Sequence, residues 1–493
     1  MKVSSKRMSH RLIQVVADLL AHVVSEVQRL PSLMLICASV LLVCSWVDLR
    51  AEETPLNTQV VPFGEAGKFK MLYDVRQRPQ SVFINGHVYI VYNGDATPTN
   101  NQKGRARPMM IRYDPRGRFF SKPQRLGAAA SDHHFSPIIW VDSENHLHIL
   151  YGCHRTPGTH LISEQPVRSY TSDVSWRTGP EISPSMSYPT VFRISGDREL
   201  IYYRTEGHTS SWTYRISEDN GLTWVGPEMD VVDLDLRGRL DWSSYQTKLP
   251  SKDGTVLHVV YTDYDDNKND ADPNRFFNPR YHQEVSNEWK YNLSYLTIDL
   301  QKHAVRNAIG EFLKTPIDID YSKRKCQIWD TQWRGAGVPP AICIDLQGNP
   351  GFLHVLSGDD LKTHHYFYVR QEHGVWVQTP ICESNHQWNS GHLSFDQDGQ
   401  LHAYVVVGET YLEGGYMDRH GGGRIEEWVS RDHGETWRKR RQLSPPEQKF
   451  AGWRFNNVQP ILRPDGTEVK GMLLFYGWQD ESKPDAKAFL LHE

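Results

Sequence analysis

Four residues have the side chains that a proton-transfer site needs and stand at the ends of short apolar runs: His134, His154, Tyr188 and Arg204. An imidazole, with an ordinary pKa of about 6.5, can take a proton at neutral pH. A phenol beside a cation can donate a proton, or accept one if its pKa of about 10 is lowered. A guanidinium can clamp a carboxylate through two parallel hydrogen bonds. Such a set suits removal of a proton α to a carboxylate. The cation draws off the developing charge, a base takes the proton and an acid protonates the leaving oxygen. Tyr245, Arg334, His392 and Asn457 stand at comparable run ends and are candidates for holding a substrate, as is His133 beside His134. His148, His258, His354 and His402 lie inside apolar runs and read as packing residues.

A repeat positions these run ends. A polar or proline-marked start leads into a short apolar run, then a turn, a second apolar run and a polar end. The pattern occurs in RPQSVFINGHVYIVYNGD from Arg78, FSPIIWVDSENHLHILYGCH from Phe135 and YPTVFRISGDRELIYYRTEG from Tyr188. It returns from Tyr245, Val338, Gly391 and Val458, making seven copies. NG, SEN, SGD, KDG, DQDG and PDG supply turn chemistry, so each copy predicts a β-hairpin. A four-stranded propeller blade takes roughly 40–50 residues, so seven hairpins predict an all-β, seven-bladed β-propeller with these hairpins as the inner strand pairs. SEDNGLTW from Ser217 and SRDHGETW from Ser430 are Asp boxes, with a fainter copy in TSDVSW from Thr171. Asp219 and Asp432 are expected to bond turn amides, Gly221 and Gly434 to take positive φ, and Trp224 and Trp437 to plug between sheets.

The chain has 493 residues, 55 basic and 59 acidic side chains, and 15 Trp. Near-balanced charge offers no basic patch for nucleic acid. Leu33 to Val47 is an apolar run of signal-peptide length preceded by Lys and Arg, so residues 1–51 read as a signal peptide or N-terminal anchor. The rest, 52–493, is then a single exported propeller, periplasmic or extracellular, touching a membrane only through an uncleaved N-terminal segment. The stretch 264–334 reads as an insertion. Cys153, Cys326, Cys343 and Cys382 allow three pairings, and free buried thiols fit as well. His282, Cys326, Cys343, His364 and His365 would form a zinc site if the fold gathered them, and the acidic DYDDNKNDADPN stretch lacks calcium-loop spacing. A structural calcium or zinc is left open, and the arginine-based chemistry requires no cofactor.

DHHFSPIIWVDSENHLHILYGCH from Asp132, with YPTVFR and YYRTEG further on, resembles the BNR-repeat proteins that include the seven-bladed propeller ulvan lyases. The resemblance runs from about Val75 to the end. In that family one His opens an inner strand, a second closes the neighbouring one, a Tyr precedes Pro and an Arg follows a Tyr. The matching positions here are His134, His154, Tyr188 and Arg204. The resemblance implies proton transfer by the His and Tyr residues, carboxylate neutralisation by Arg204, and β-elimination on a uronate-containing polysaccharide. The proton would leave C5 and the oxygen would leave C4. The family pattern has one His and then Asn before Ser-Pro, whereas this chain has His133-His134-Phe135. Counting back from Ser136-Pro137 selects His134, and counting forward from Asp132 selects His133. Two other classes stay open. One is a non-catalytic carbohydrate-binding propeller, which Asp boxes fit equally. The other is a sialidase-type glycoside hydrolase, which needs three Arg, a Tyr–Glu pair and Phe/Tyr-Arg-Ile-Pro. Phe192-Arg193-Ile194-Ser195 lacks that Pro. The expectation is an exported, monomeric lyase acting on an acidic polysaccharide.

Overall fold

Turn residues set the hairpins. Asn85 and Gly86 have φ values of 51° and 80°, the left-handed pair that a two-residue hairpin turn uses. They join Ser81–Ile84 to His87–Thr97. The computed structural model describes residues 59–67, 71–97, 105–168, 173–236, 242–265, 275–286, 289–408, 421–445, 449–479 and 486–493. All of them lie in one unit, Thr58–Glu493. The segment 1–51, and with it the signal or anchor, lies outside the described residues, as does Thr171 at the start of the fainter Asp box.

Each of the seven sequence copies is a hairpin whose first strand is innermost in its blade, with a three-residue strand, His154–Thr156, added inside the one in blade 3. Those first strands are Ser81–Ile84, Ile138–Val141, Met186–Ser195, Trp242–Pro250, Ala341–Ile344, Gly391–Phe395 and Arg454–Leu462. Each packs against the next in that order, and the last returns to the first through a parallel bridge, Val82 to Leu462. Ile138–Val141 is apolar and buried along its whole length, because a neighbouring blade covers each face, whereas Trp242–Pro250 and Arg454–Leu462 mix buried polar with apolar residues. The N-terminal strand Gln59–Gly67 pairs antiparallel with Ala486–His492 and supplies the outer strand of the seventh blade, so the two chain ends close the ring. Propeller closure leaves no long inner edge exposed.

The Asp boxes are turns of the third and sixth blades. Asp219 accepts from the Thr223 amide at 2.8 Å, its hydroxyl at 2.7 Å and the Ser217 hydroxyl at 2.8 Å. Gly221 and Gly434 have φ values of 77° and 90°, and a Cβ on Gly434 would stand 2.3 Å from the Tyr368 ring. Trp224 packs onto the cluster of Ile138, Trp140 and Ile201 between blades 2 and 3. Trp437 packs edge-on to Tyr368 at 5.6 Å between blades 5 and 6. The stretch 264–334 is less of an insertion than its composition suggests. It contains Lys290–Asp299 and Ala304–Asn307, the third and fourth strands of blade 4, besides the hairpin Arg275–Asn278/Gln283–Ser286 and a short helix, Ile319–Lys325. Cys153, Cys326, Cys343 and Cys382 are free thiols.

Candidate active site

The site assembles around a register irregularity at the start of blade 3. His154 begins a three-residue strand that leaves blade 2 and pairs with blade 3, His154 opposite Ser187. Ser187 also lies opposite Arg204 on its other side. The register then shifts between Ser187 and Thr190, and Tyr188 within that shift has φ 56°. A bulky residue with positive φ is strained, the more so before a proline such as Pro189, which favours an extended predecessor. A bulge of this kind re-aims a side chain. Here it brings the Tyr188 ring to 6.1 Å from His154 and 5.7 Å from His134, and puts the Arg204 guanidinium 4.7 Å from its centroid.

Asp132 organises the two imidazoles. It caps a short 3₁₀ turn, His133–Phe135, by accepting from the His134 amide. Its Oδ1 lies 2.6 Å from His134 Nδ1, and its Oδ2 lies 2.7 Å from His154 Nδ1. One carboxylate therefore fixes both rings, 4.2 Å apart at their centroids, with protons at Nδ1 and Nε2 turned away. His154 Nε2 is buried and has no hydrogen-bond partner among the described residues. Burial raises the Asp132 pKa, but the hydrogen bonds from His134 and His154 outweigh it and hold the carboxyl far below its usual range. Burial pushes His134 down despite Asp132, so that imidazole is neutral near pH 7.

Two guanidiniums bracket Tyr188. Arg204 is completely buried, and none of its three nitrogens has a hydrogen-bond partner among the described residues. An isolated cation in such a place is expensive unless an anion or a π face compensates. Arg204 therefore reaches the site as charge acting across the Tyr188 ring, not as an exposed carboxylate clamp. Arg76, the second cation, sits 4.5 Å from the same ring. Burial raises the Tyr188 pKa strongly, against the pull of Arg76 and Arg204, so the phenol keeps its proton. Tyr245 lies 3.5 Å from it, hydroxyl to hydroxyl. Beyond Tyr245, Lys290 points its ammonium at the rings of Tyr245, Trp388 and Tyr264, 4.7, 4.9 and 5.2 Å away. His208 is pushed down to about 3 by burial, then by Arg204, Arg155, His134 and Arg76. Three cations, Arg76, Arg204 and Lys290, thus stand against two carboxylates, Asp74 and Asp132, which leaves an excess of positive charge at the site of a chain whose net charge is −4.

Residues 107–384 match the profile of the family described as "BNR repeat-containing family member". The chain belongs to this family. An ulvan lyase of Nonlabens ulvanivorans is 24% identical over 412 residues, 78% of this chain and 80% of that protein. Among solved structures, a polysaccharide lyase PL25 ulvan lyase superposes with a TM-score of 0.66 at 18% identity, covering 88% of this chain and 96% of that one. The same values hold for a PL25 ulvan lyase bound to -[GlcA(1-4)Rha3S]-. Polysaccharide lyase Uly1 superposes with a TM-score of 0.56 at 10% identity, covering 85% and 90%. At these identities the likeness to solved structures establishes the propeller fold.

Of the sequence-derived site residues in this BNR-repeat chain, His134, His154, Tyr188, Arg204 and Tyr245 come together. The His133 side chain lies outside the described residues. Arg334 stacks over Trp329 at 5.5 Å and Phe367 at 5.8 Å. His392 points across to the next blade, where its Nε2 meets Glu468 at 2.8 Å. Asn457 is spent on the backbone, donating to the Tyr73 carbonyl at 3.1 Å while its own carbonyl accepts from the Tyr73 hydroxyl at 3.2 Å. The sequence-derived zinc set does not gather, because Cys326 and Cys343 pack into different cores between blades. Among the described residues, the one group of three metal-type ligands close enough to share an ion is Asp132, His134 and His154, already joined by hydrogen bonds. Sequence reasoning passes over Asp132, Asp74, Arg76 and Lys290. Asp132 stands beside the selected histidines in DHHF, and a carboxylate next to paired His was the available signal. Nothing local marks Arg76 or Lys290.

Proposed function

We propose that this chain is a polysaccharide lyase that cleaves an ulvan-like, uronate-containing polymer by β-elimination. The observation that carries the reading is the double clamp of Asp132 on His134 and His154 beside a phenol held between two guanidiniums. A neutral imidazole whose proton is fixed at Nδ1 offers its Nε2 lone pair to C5–H, and His134 is the one kept neutral by burial. The C5–H electrons form the C4=C5 bond, the C4–O4 bond breaks, and the Tyr188 proton passes to O4. Arg204, acting across the Tyr188 ring, stabilises the negative charge that grows on the uronate and remains on the phenolate. Tyr188 is only 1% exposed, so the sugar reaches its hydroxyl by displacing a neighbouring side chain. The cationic surroundings suit a polyanion, and the ulvan lyase relative that aligns over most of both chains supports the substrate class. Export, ahead of a folded monomer, fits a polymeric substrate that stays outside the cell.

Mixing the purified protein with ulvan and a panel of other uronate polymers, with Arg204→Ala beside it, tests this reading. Ultraviolet absorbance of the unsaturated uronate product should rise on one polymer and stay flat in the variant. A folded wild-type protein that raises no absorbance on any of them would refute the lyase and leave a carbohydrate-binding propeller.

A further inference from the structure

Residues 72–80 precede the first inner strand and cross the inner ends of four blades. The Leu72 carbonyl accepts from the Asn93 amide at 2.6 Å in blade 1, and the Tyr73 carbonyl from Asn457 in blade 7. The Arg78 amide donates to the Pro189 carbonyl at 3.2 Å in blade 3, and the Pro79 carbonyl accepts from the Ile139 amide at 2.9 Å in blade 2. Gln77 Nε2 donates to the His134 carbonyl at 2.5 Å. The segment is thereby fixed at its ends and middle, and it carries one cation into the proton-transfer cluster. Arg76 gives Nε and Nη2 to Asp74, at 2.8 Å to Oδ1 and 2.6 Å to Oδ2, a two-point clamp that fixes the guanidinium plane. Nη1 is left pointing at the Tyr188 hydroxyl, 3.3 Å away.

We infer that Arg76, held by Asp74, is a positioning residue that stabilises the Tyr188 phenolate and so sets how readily Tyr188 gives up its proton. The inference rests on the proposed role of Tyr188 in proton transfer. Among the described residues, five charged or titratable side chains contact Tyr188. Arg76 meets the hydroxyl, Arg204 the ring, Tyr245 the hydroxyl from blade 4, and His134 and His154 the ring from blade 2. Asp74 anchors Arg76 while its own charge works against ionisation of the phenol, and it is itself held down to about 2, where Arg76 outweighs its burial. Arg76 alone among the cations donates a hydrogen bond to the phenol oxygen while anchored from behind. Among the described residues Arg204 has no hydrogen-bonding anchor. Asp74 keeps Arg76 from collapsing onto an arriving carboxylate and reserves its third nitrogen for Tyr188.

A test that does not depend on turnover places a fluorinated tyrosine, whose phenol ionises at lower pH, at position 188 and follows its ¹⁹F resonance with pH. An opposite charge at this range moves a pKa by about one to three pH units, so Arg76→Gln should raise the ionisation pH by at least about one unit. Arg76→Lys, which keeps charge but not the fork, should fall between. In the unlabelled enzyme Arg76→Gln should lower kcat by about 10- to 100-fold with little change in KM, and Arg76→Lys should restore part of it. An unchanged ¹⁹F titration in Arg76→Lys and Arg76→Gln would overturn the inference, as would a loss confined to KM. If Arg76→Gln does not fold, Arg76→Lys carries the same titration. An inactive wild type would defeat the lyase reading, and the ¹⁹F titration would still decide the role of Arg76.

Discussion

Replacing Asp132 by Asn isolates the device on which the proposed chemistry depends. The carboxylate accepts three hydrogen bonds: from the His134 amide at 2.9 Å and Nδ1 at 2.6 Å on one oxygen, and from His154 Nδ1 at 2.7 Å on the other. Asn keeps one acceptor and substitutes an NH₂ donor for the other. If the remaining oxygen stays with His134, where it also caps the 3₁₀ turn, His154 faces a donor. That ring must then turn its Nδ1 lone pair inward and carry its proton at Nε2, the wrong tautomer for a base. The reverse assignment mis-sets His134 instead. Either way one of the two imidazoles is disabled, and general acid–base catalysis is worth about 10²–10⁴-fold, or about 2.7–5.5 kcal/mol of barrier. The fold should lose only about 1 kcal/mol, since the Asp132 side chain is 31% exposed and its shape is kept. The sign of the pH effect is also set. Asp132 favours the imidazolium, so its removal lowers the His134 pKa further and moves the acid limb of kcat/KM to lower pH. The assay is product absorbance over a pH series, with thermal melting alongside. A variant within about threefold of wild type in kcat would refute the reasoning. So would an acid limb that moves upward.

Three further outcomes follow from particular contacts. Arg204→Met should melt no lower than wild type, because it removes a buried cation that has aromatic faces but no hydrogen-bond partner among the described residues, while the rate falls by about 10²–10³-fold. A lower melting temperature with retained rate would contradict the role given to Arg204. Glu199 is fully buried between Trp140 and the first Asp box, and burial raises its pKa from 4.5 to about 8. A folded-state pKa above the unfolded one contributes stability that is complete below about pH 4.5 and is lost as pH rises through about 8, a cost of roughly 5 kcal/mol at most. Glu199→Gln should therefore flatten the fall in melting temperature between about pH 4.5 and 8, and a parallel fall would refute the burial argument. His392→Ala should cost about 1 kcal/mol through the lost bond to Glu468, with KM unchanged. A raised KM would return His392 to the substrate site.

Local sequence determined the architecture. Seven hairpins could be placed because each carries its own turn residues, such as Asn85-Gly86, between runs whose strand character is set within about ten residues. The Asp boxes were legible for the same reason, since Asp219 bonds residues only two and four positions away. His134, His154, Tyr188 and Arg204 were found because strand ends of neighbouring blades converge and each end is visible in its own copy. Composition misled over 264–334, where an acidic stretch hid two ordinary strands of blade 4, and at His392 and Asn457, whose partners Glu468 and Tyr73 are 76 and 384 residues away. Tertiary structure alone decided the electrostatics. Asp132 becomes an organiser only when His154 crosses to blade 3, and Arg204 becomes an unpaired cation only when packing removes its water. Arg76 enters the site because residues 72–80 are tied to four blades at once. Periodicity and turn chemistry are written along the chain. Which charges face one another without water depends on ring closure, and that appears only once the blades have met.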